Sequence, residues 1–439
     1  MQLETWCVLR VAFGLTVGWL YGSIGRGAMD MTETAVMFGA GNVGRGFLGQ
    51  LFSESGYEVV FVDIDEPLIA ALNARRAYTI RLVEDDRAKE VTVGPVRALH
   101  ARETAAVAQA LAQASIAATA VGVRALPHIA PLVAAGISQR FAGGVQAPLN
   151  VIVCENLKNA AASFRRMVSE QLPAAHRAYA ETYVGFVDTV IARMAPPPTP
   201  QMRARDPSLI VVEPYKELPV DRRGFIGPVP DIVGLEPADT FAVYTARKLY
   251  IHNCGHAMLG YLGHLRGHTF GYEALEDPAI RPLFEQALAE SKRGIVAAYA
   301  GATPVDGTSE DVPSVGVSVG WLEAHIADVV RRMANRALGD TIFRLARDPL
   351  RKLGPEDRLV GAARLVERAG ETPEALSWGI AVGYCFDDAN DPLAMELQAR
   401  IAAEGLEAVL GDVSDIQADE PLAGLVRERY HRLQEGAWP

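Results

Sequence analysis

One short segment, ARKLYIHNCGHA at 246–257, carries three side chains able to move a proton on and off an alcohol. Lys248, Asn253 and His256 stand in a Kx4NxxH arrangement. On a regular helix, positions 248 and 256 are a little over two turns apart and share one stripe. Asn253 then lies about 140° round the axis from Lys248 and about 60° from His256. Convergence of all three requires a local irregularity, which Gly255 could permit. The matching chemistry is alcohol oxidation without a metal. A lysine with its pKa lowered by desolvation accepts the hydroxyl proton near neutral pH. Asparagine amides donate to the developing alkoxide. Taken by residue type alone, an exposed lysine, a capping asparagine and a core histidine would read the same way.

A second constellation precedes it. VMFGAGNVGRGF (36–47) places Gly39, Gly41 and Gly44 in a GxGxxG pattern between an apolar strand and a helix. Asn42 and Val43 complete the turn. Asp63 ends the next strand, nineteen residues beyond Gly44. The first glycine serves the tight turn, the second the approach of a pyrophosphate, and the third helix–strand packing. Phosphates would sit on free N–H groups at the helix start. Asp63 would accept from both ribose hydroxyls and repel a 2′-phosphate, so the expected cofactor is NAD. Arg45 could meet pyrophosphate, substrate or solvent.

A basic run, RLARDPLRKLGPEDR (344–358), holds Arg344, Arg347, Arg351, Lys352 and Arg358. Such a run is either a solvated face or an anion pocket. His264 and His268 are four apart, but no HExxH or third ligand accompanies them, and no CxxC pair is present, so a metal site is not expected. Cys154 and Cys254 read as buried thiols. No GxSxG elbow occurs.

These residues need a frame to hold them. From Thr34 to about Ala195, apolar runs alternate with helical patterns: strands at 34–38, 58–62, 114–121 and 150–156, and an antiparallel excursion at 79–83 and 90–96. That alternation predicts an α/β fold, a doubly wound Rossmann-type parallel sheet. Prolines 196, 197, 198 and 200 make a natural linker. The expected domains are an NAD-binding unit over 31–200 and a mostly α-helical substrate domain over 201–439. A strand within 208–220 could return to the first. Helical spacing recurs at 240–265, 281–300, 319–338, 357–369 and 392–410.

The 439 residues are 49% hydrophobic and 22% charged, ordinary globular usage. A net charge of −11 disfavours non-specific nucleic-acid binding. Four cysteines are too few for a disulfide framework and fit a reduced cytoplasmic protein. Residues 6–21 are apolar but short for a membrane span and carry Arg10. The first thirty residues read as an extension upstream of a start at Met29 or Met31, with a weakly membrane-associating helix as the alternative.

FGAGNVGRGF, Asp63, ALNAR, TAVG (119–122), PLNVIVCEN (148–156), VGFVD (184–188), ARKLYIHNCGHA and DPLRKL (348–353) follow one another in this order. The series resembles the polyol-specific long-chain dehydrogenases, the mannitol dehydrogenase family, from about Thr34 past Arg358. The resemblance implies a zinc-independent oxidoreductase in which Lys248 is the base, Asn156 and Asn253 hold the oxyanion, and His256 orients substrate. It implies that Arg344 and Lys352 anchor substrate, with Arg351 a phosphate candidate, and it is compatible with a monomer. The implied reaction interconverts D-mannitol 1-phosphate and D-fructose 6-phosphate. Sister activities on free mannitol or fructuronate, or a silent NAD-binding regulator, are the alternatives. One departure favours the last: the family usually has Val-Asp-Arg before the linker, and this chain has Ile191-Ala192-Arg193.

Overall fold

The computed structural model describes residues 33–300 apart from Pro197, and 317–439. The expected N-terminal extension and its apolar run lie outside the described residues. No described helix is long and apolar enough to cross a membrane.

The strands are β1 (Thr34–Phe38), β2 (Glu58–Asp63), β3 (Tyr78–Glu84), β4 (Arg87–Val93), β5 (Val96–His100), β6 (Ile116–Thr119), β7 (Leu149–Val153), β8 (Val184–Asp188), β9 (Ile210–Val212), β10 (Leu218–Asp221) and β11 (Leu235–Ala238). Six of them form a wholly parallel sheet in the order β5-β2-β1-β6-β7-β8. Successive side chains face opposite layers. Ala35, Met37, Val59 and Phe61 join one core, while Val36, Phe38, Val60 and Val62 join the other. Both faces being covered explains why these strands read as continuous apolar runs.

β5 and β8 close the sheet at its edges and do not stand out from periodicity. The apolar stretch 90–96 divides into the end of β4 and the start of β5. β3 and β4 form the antiparallel hairpin. The 208–220 segment holds two strands. β9 pairs in parallel with β3 in a separate three-stranded sheet, and β10 pairs in parallel with β11. Ile210, Val212, Leu218 and Val220 nevertheless pack into the same core as Met37 and Phe61.

Beyond residue 240 the chain is helical around one apolar core. The helix Glu374–Tyr384 is buried on every face, so it lacks the polar stripe that marks a surface helix. The stretch 392–410 breaks at Gly405 (φ 84°) into Pro392–Glu404 and Leu406–Ser414.

Candidate active site

The glycine turn caps the carboxyl end of β1, beside β6, where the connections from the two strands diverge. Ligands of such sheets bind in this crevice. Gly39 has φ 91°, and a Cβ there would lie 2.5 Å from the Ala120 carbonyl oxygen. A Cβ on Gly44 would come 1.9 Å from the Gly39 oxygen. Gly41 faces open space, with no atom within 4 Å of its missing Cβ. That room, above the free N–H groups of a helix start, fits a dinucleotide phosphate. Asp63 accepts from the N–H groups of Ala40 (2.6 Å), Ile64 (2.7 Å) and Asp65 (3.1 Å). A carboxylate accepts about four such bonds, so capacity remains for a ribose hydroxyl. The Asn42 amide is committed to the Ala195 carbonyl at 3.1 Å, which leaves its backbone for a ligand.

Two features of this crevice are not legible from spacing. Ile64 is 75% exposed beside Asp63, and Val121–Ala125 with His128 line a cavity of about 500 Å³. An apolar wall next to the ribose acid suits a planar base. Arg45, in contrast, belongs to the core. Its guanidinium donates to the Ala40 and Ser208 carbonyls, both at 2.5 Å, and ties the glycine turn to the segment before β9. Burial lowers its pKa.

Lys248 opens a π turn, Lys248–Asn253, set between the helices Phe241–Arg247 and Cys254–Arg266. Hydrogen bonding from i to i+5 widens the turn, a device common at functional sites. It puts positions 248 and 253 at opposite ends of one turn, which a regular helix would separate. The irregularity is therefore not at Gly255, which packs against Met333 and Phe284. Lys248 Nζ donates to Asn156 Oδ1 at 3.0 Å, joining the helical part to the loop after β7. Desolvation lowers the Lys248 pKa to about 8, with further repulsion from Arg358. Asn253 is buried, and among the described residues its amide makes no hydrogen bond. His256 meets the His252 ring edge-on at 4.7 Å. Burial, then Arg344 and Arg358, push its pKa well down, so the imidazole is neutral.

Glu155 is structural: its carboxylate takes the Thr119 hydroxyl (2.5 Å) and the Val121 N–H (2.9 Å), locking the ends of β6 and β7 together. The basic run is divided. Arg344 pairs with Asp340. Arg351 is exposed, 2.6 Å from Asp348 and 3.6 Å from Asp357. Lys352 is buried and donates to the Leu345 carbonyl at 2.5 Å, and desolvation lowers its pKa to about 6. His264 and His268 serve different acids, Asp387 at 2.9 Å and Asp277 at 2.8 Å. Among the described residues no three His, Cys, Asp or Glu side chains are grouped to hold a metal.

At Ala192 the structure offers something spacing does not. Arg332 donates to the Ala192 carbonyl (2.5 Å) and to both oxygens of buried Glu213 (2.6 and 2.7 Å). Arg332 also lines a narrow cavity with His256 and Met194. Glu213 had no signal in the sequence beyond its type.

Residues 33–234 match the mannitol dehydrogenase Rossmann domain and residues 241–434 the mannitol dehydrogenase C-terminal domain. The chain belongs to the mannitol dehydrogenase family. Similar curated members are mannitol-1-phosphate 5-dehydrogenases of Bacillus velezensis, 36% identical over 91% of this chain and 100% of that one, and of Bacillus licheniformis, 38% identical over 89% and 98%. Among solved structures, Pseudomonas fluorescens mannitol 2-dehydrogenase, in a ternary complex with NAD and D-mannitol, superposes with a TM-score of 0.69 at 18% identity, covering 93% of each chain. A substrate-free D-sorbitol dehydrogenase gives 0.72 at 17% identity, covering 92% of this chain and 94% of that one. As a mannitol dehydrogenase family member the protein is an oxidoreductase, and the π turn with Lys248 lies in its C-terminal family domain.

Proposed function

We propose that this protein interconverts D-mannitol 1-phosphate and D-fructose 6-phosphate with NAD, and that Lys248 is the general base. The observation that carries this is the 3.0 Å contact of Lys248 with Asn156, made from a π turn that ends on Asn253. The names of the curated relatives support the phosphorylated substrate.

In the oxidative direction the C5 hydroxyl proton passes to neutral Lys248 Nζ. The amide N–H groups of Asn156 and Asn253 donate to the oxygen as negative charge grows on it. Neutral His256 holds a neighbouring hydroxyl. The glycine turn and Asp63 would hold NAD, which would supply the acceptor for the hydride leaving C5. In the reductive direction Lys248 must begin protonated and return the proton.

The sign of the pH response follows. Oxidation needs the neutral amine, so its rate should rise through a pH of about 8 and level off above. Ketose reduction needs the ammonium and should fall through the same range. Rate profiles in both directions check this; an oxidation profile flat from pH 6.5 to 9.5 would remove Lys248 from the role.

Replacing Asp63 by Ser should weaken NADH binding about 10- to 100-fold, the worth of charge-assisted ribose bonds, and erode discrimination against NADPH. Titration of both cofactors measures it.

The direct assay is NADH oxidation at 340 nm with fructose 6-phosphate, fructose and fructuronate. Turnover of fructose 6-phosphate far above a slow residual rate with fructose or fructuronate is expected. A preference for either unphosphorylated substrate would assign a sister activity, and silence with all three would point to Ala192 and a regulator.

A further inference from the structure

We propose that Arg358 is the group that receives the substrate's phosphate, an assignment that rests on the sugar-phosphate reading above. Arg358 is 7% exposed, yet only its Nε is held, by Asp357 at 2.7 Å. Among the described residues neither terminal nitrogen has a protein partner. Three other cations of the run are occupied, Arg344 by Asp340, Arg351 by Asp348, and the Lys352 ammonium by a carbonyl, while Arg347 is exposed. Asp357 is itself shared, lying 3.6 Å from Arg351, so it offsets the Arg358 charge incompletely. A nearly buried guanidinium with four N–H donors open calls for an anion, and its planar fork matches two phosphate oxygens.

The placement is fixed by packing. Tyr250, inside the π turn, donates to the Glu356 carbonyl at 3.3 Å. A Cβ on Gly361 would come 2.7 Å from the Tyr250 ring. The loop bearing Arg358 therefore sits directly on the turn bearing Lys248. Consistent with this, Arg358 is the cation acting most strongly on Lys248 and the second on His256. Lys158 meets both Glu356 oxygens at 2.8 Å, tying the same loop to the segment after Asn156. Phosphate bound at Arg358 would set the far end of the substrate relative to the base. It would also offset the repulsion that Arg358 exerts on a protonated Lys248.

The test compares wild type, Arg358→Gln and Arg358→Lys with bound NADH, using fructose 6-phosphate, fructose and inorganic phosphate as a competitor. Arg358→Gln should raise KM for fructose 6-phosphate about 10- to 100-fold, the worth of hydrogen bonds to a charged group, with KM for fructose little changed. Inhibition by inorganic phosphate should disappear with it. The apparent pKa of Lys248 in kcat/KM for fructose should move up, because a repelling cation is gone, whereas Arg358→Lys should leave it in place. An unchanged NADH affinity checks the fold. Equal KM increases for both ketoses, or undiminished phosphate inhibition in Arg358→Gln, would overturn the assignment. A wild type indifferent to the phosphate on its substrate would instead overturn the sugar-phosphate function itself.

Discussion

Lys248→Ala is expected to lower turnover about 10²- to 10⁴-fold while NADH affinity stays within error of wild type. The loss follows from geometry. Lys248 Nζ, the proposed proton acceptor, is held against Asn156, and the titratable groups near it among the described residues are poor substitutes. His256 is kept neutral by burial and by Arg344 and Arg358, which makes it a poor recipient for a proton that must be carried away as charge. Asp357 neighbours Lys248 but is taken up by Arg358. The proposed cofactor cradle, Gly39, Gly41, Gly44 and Asp63, lies at the ends of β1 and β2, and none of these touches the lysine. Calorimetric titration of NADH beside steady-state rates separates the effects. A variant that keeps a tenth or more of wild-type turnover would end the general-base assignment. So would a parallel loss of NADH binding, which would mark Lys248 as structural.

Arg332→Leu is expected to cost about 3–5 kcal/mol of stability, the usual effect of breaking a buried pair from one side. Glu213 is 1% exposed and both its oxygens lie on Arg332. With Arg332 gone, the Met194 N–H at 2.5 Å is the remaining donor to a buried carboxylate. The guanidinium also lies over the Tyr215 ring at 3.8 Å, and leucine cannot replace that cation–π attraction. Removing both charges should be milder: Glu213→Leu with Arg332→Leu is expected to recover a large part of the loss, because neither ion is left without a partner. Urea unfolding of the two single variants and the double variant measures the coupling. Additive losses would show that the pair is not coupled and that each side chain acts through its own packing.

Arg332 lies beside His256 and reaches from the helix Val319–Met333 to Ala192 and Glu213. Asn335 reinforces this junction by donating to the Val83 carbonyl (2.9 Å) and accepting from the Asp85 N–H (3.0 Å) at the tip of the β3–β4 hairpin. The segment that carries the family's missing acid is thus held by a guanidinium and a carboxylate from elsewhere in the chain.

What the sequence determined alone was whatever short-range physics writes into a few consecutive residues. Strands buried on both faces show as apolar runs, so β1, β2, β6 and β7 were legible. The glycine turn is dictated by backbone space at Gly39 and Gly44, and residue type reports that space directly. Order along the chain was enough for the family, because the Lys–Asn–His segment is specific. Tertiary structure alone decided the rest. Whether a cation faces substrate or a neighbouring acid depends on what packs against it, so Arg344, Arg347, Arg351, Lys352 and Arg358 look alike in sequence and differ in the fold. Arg45 could be assigned to the core only once the segment before β9 was seen lying over it. The π turn adds one residue to a helical turn without a glycine or proline to announce it. Glu213 and Arg332 are 119 residues apart, and only the folded chain makes them partners.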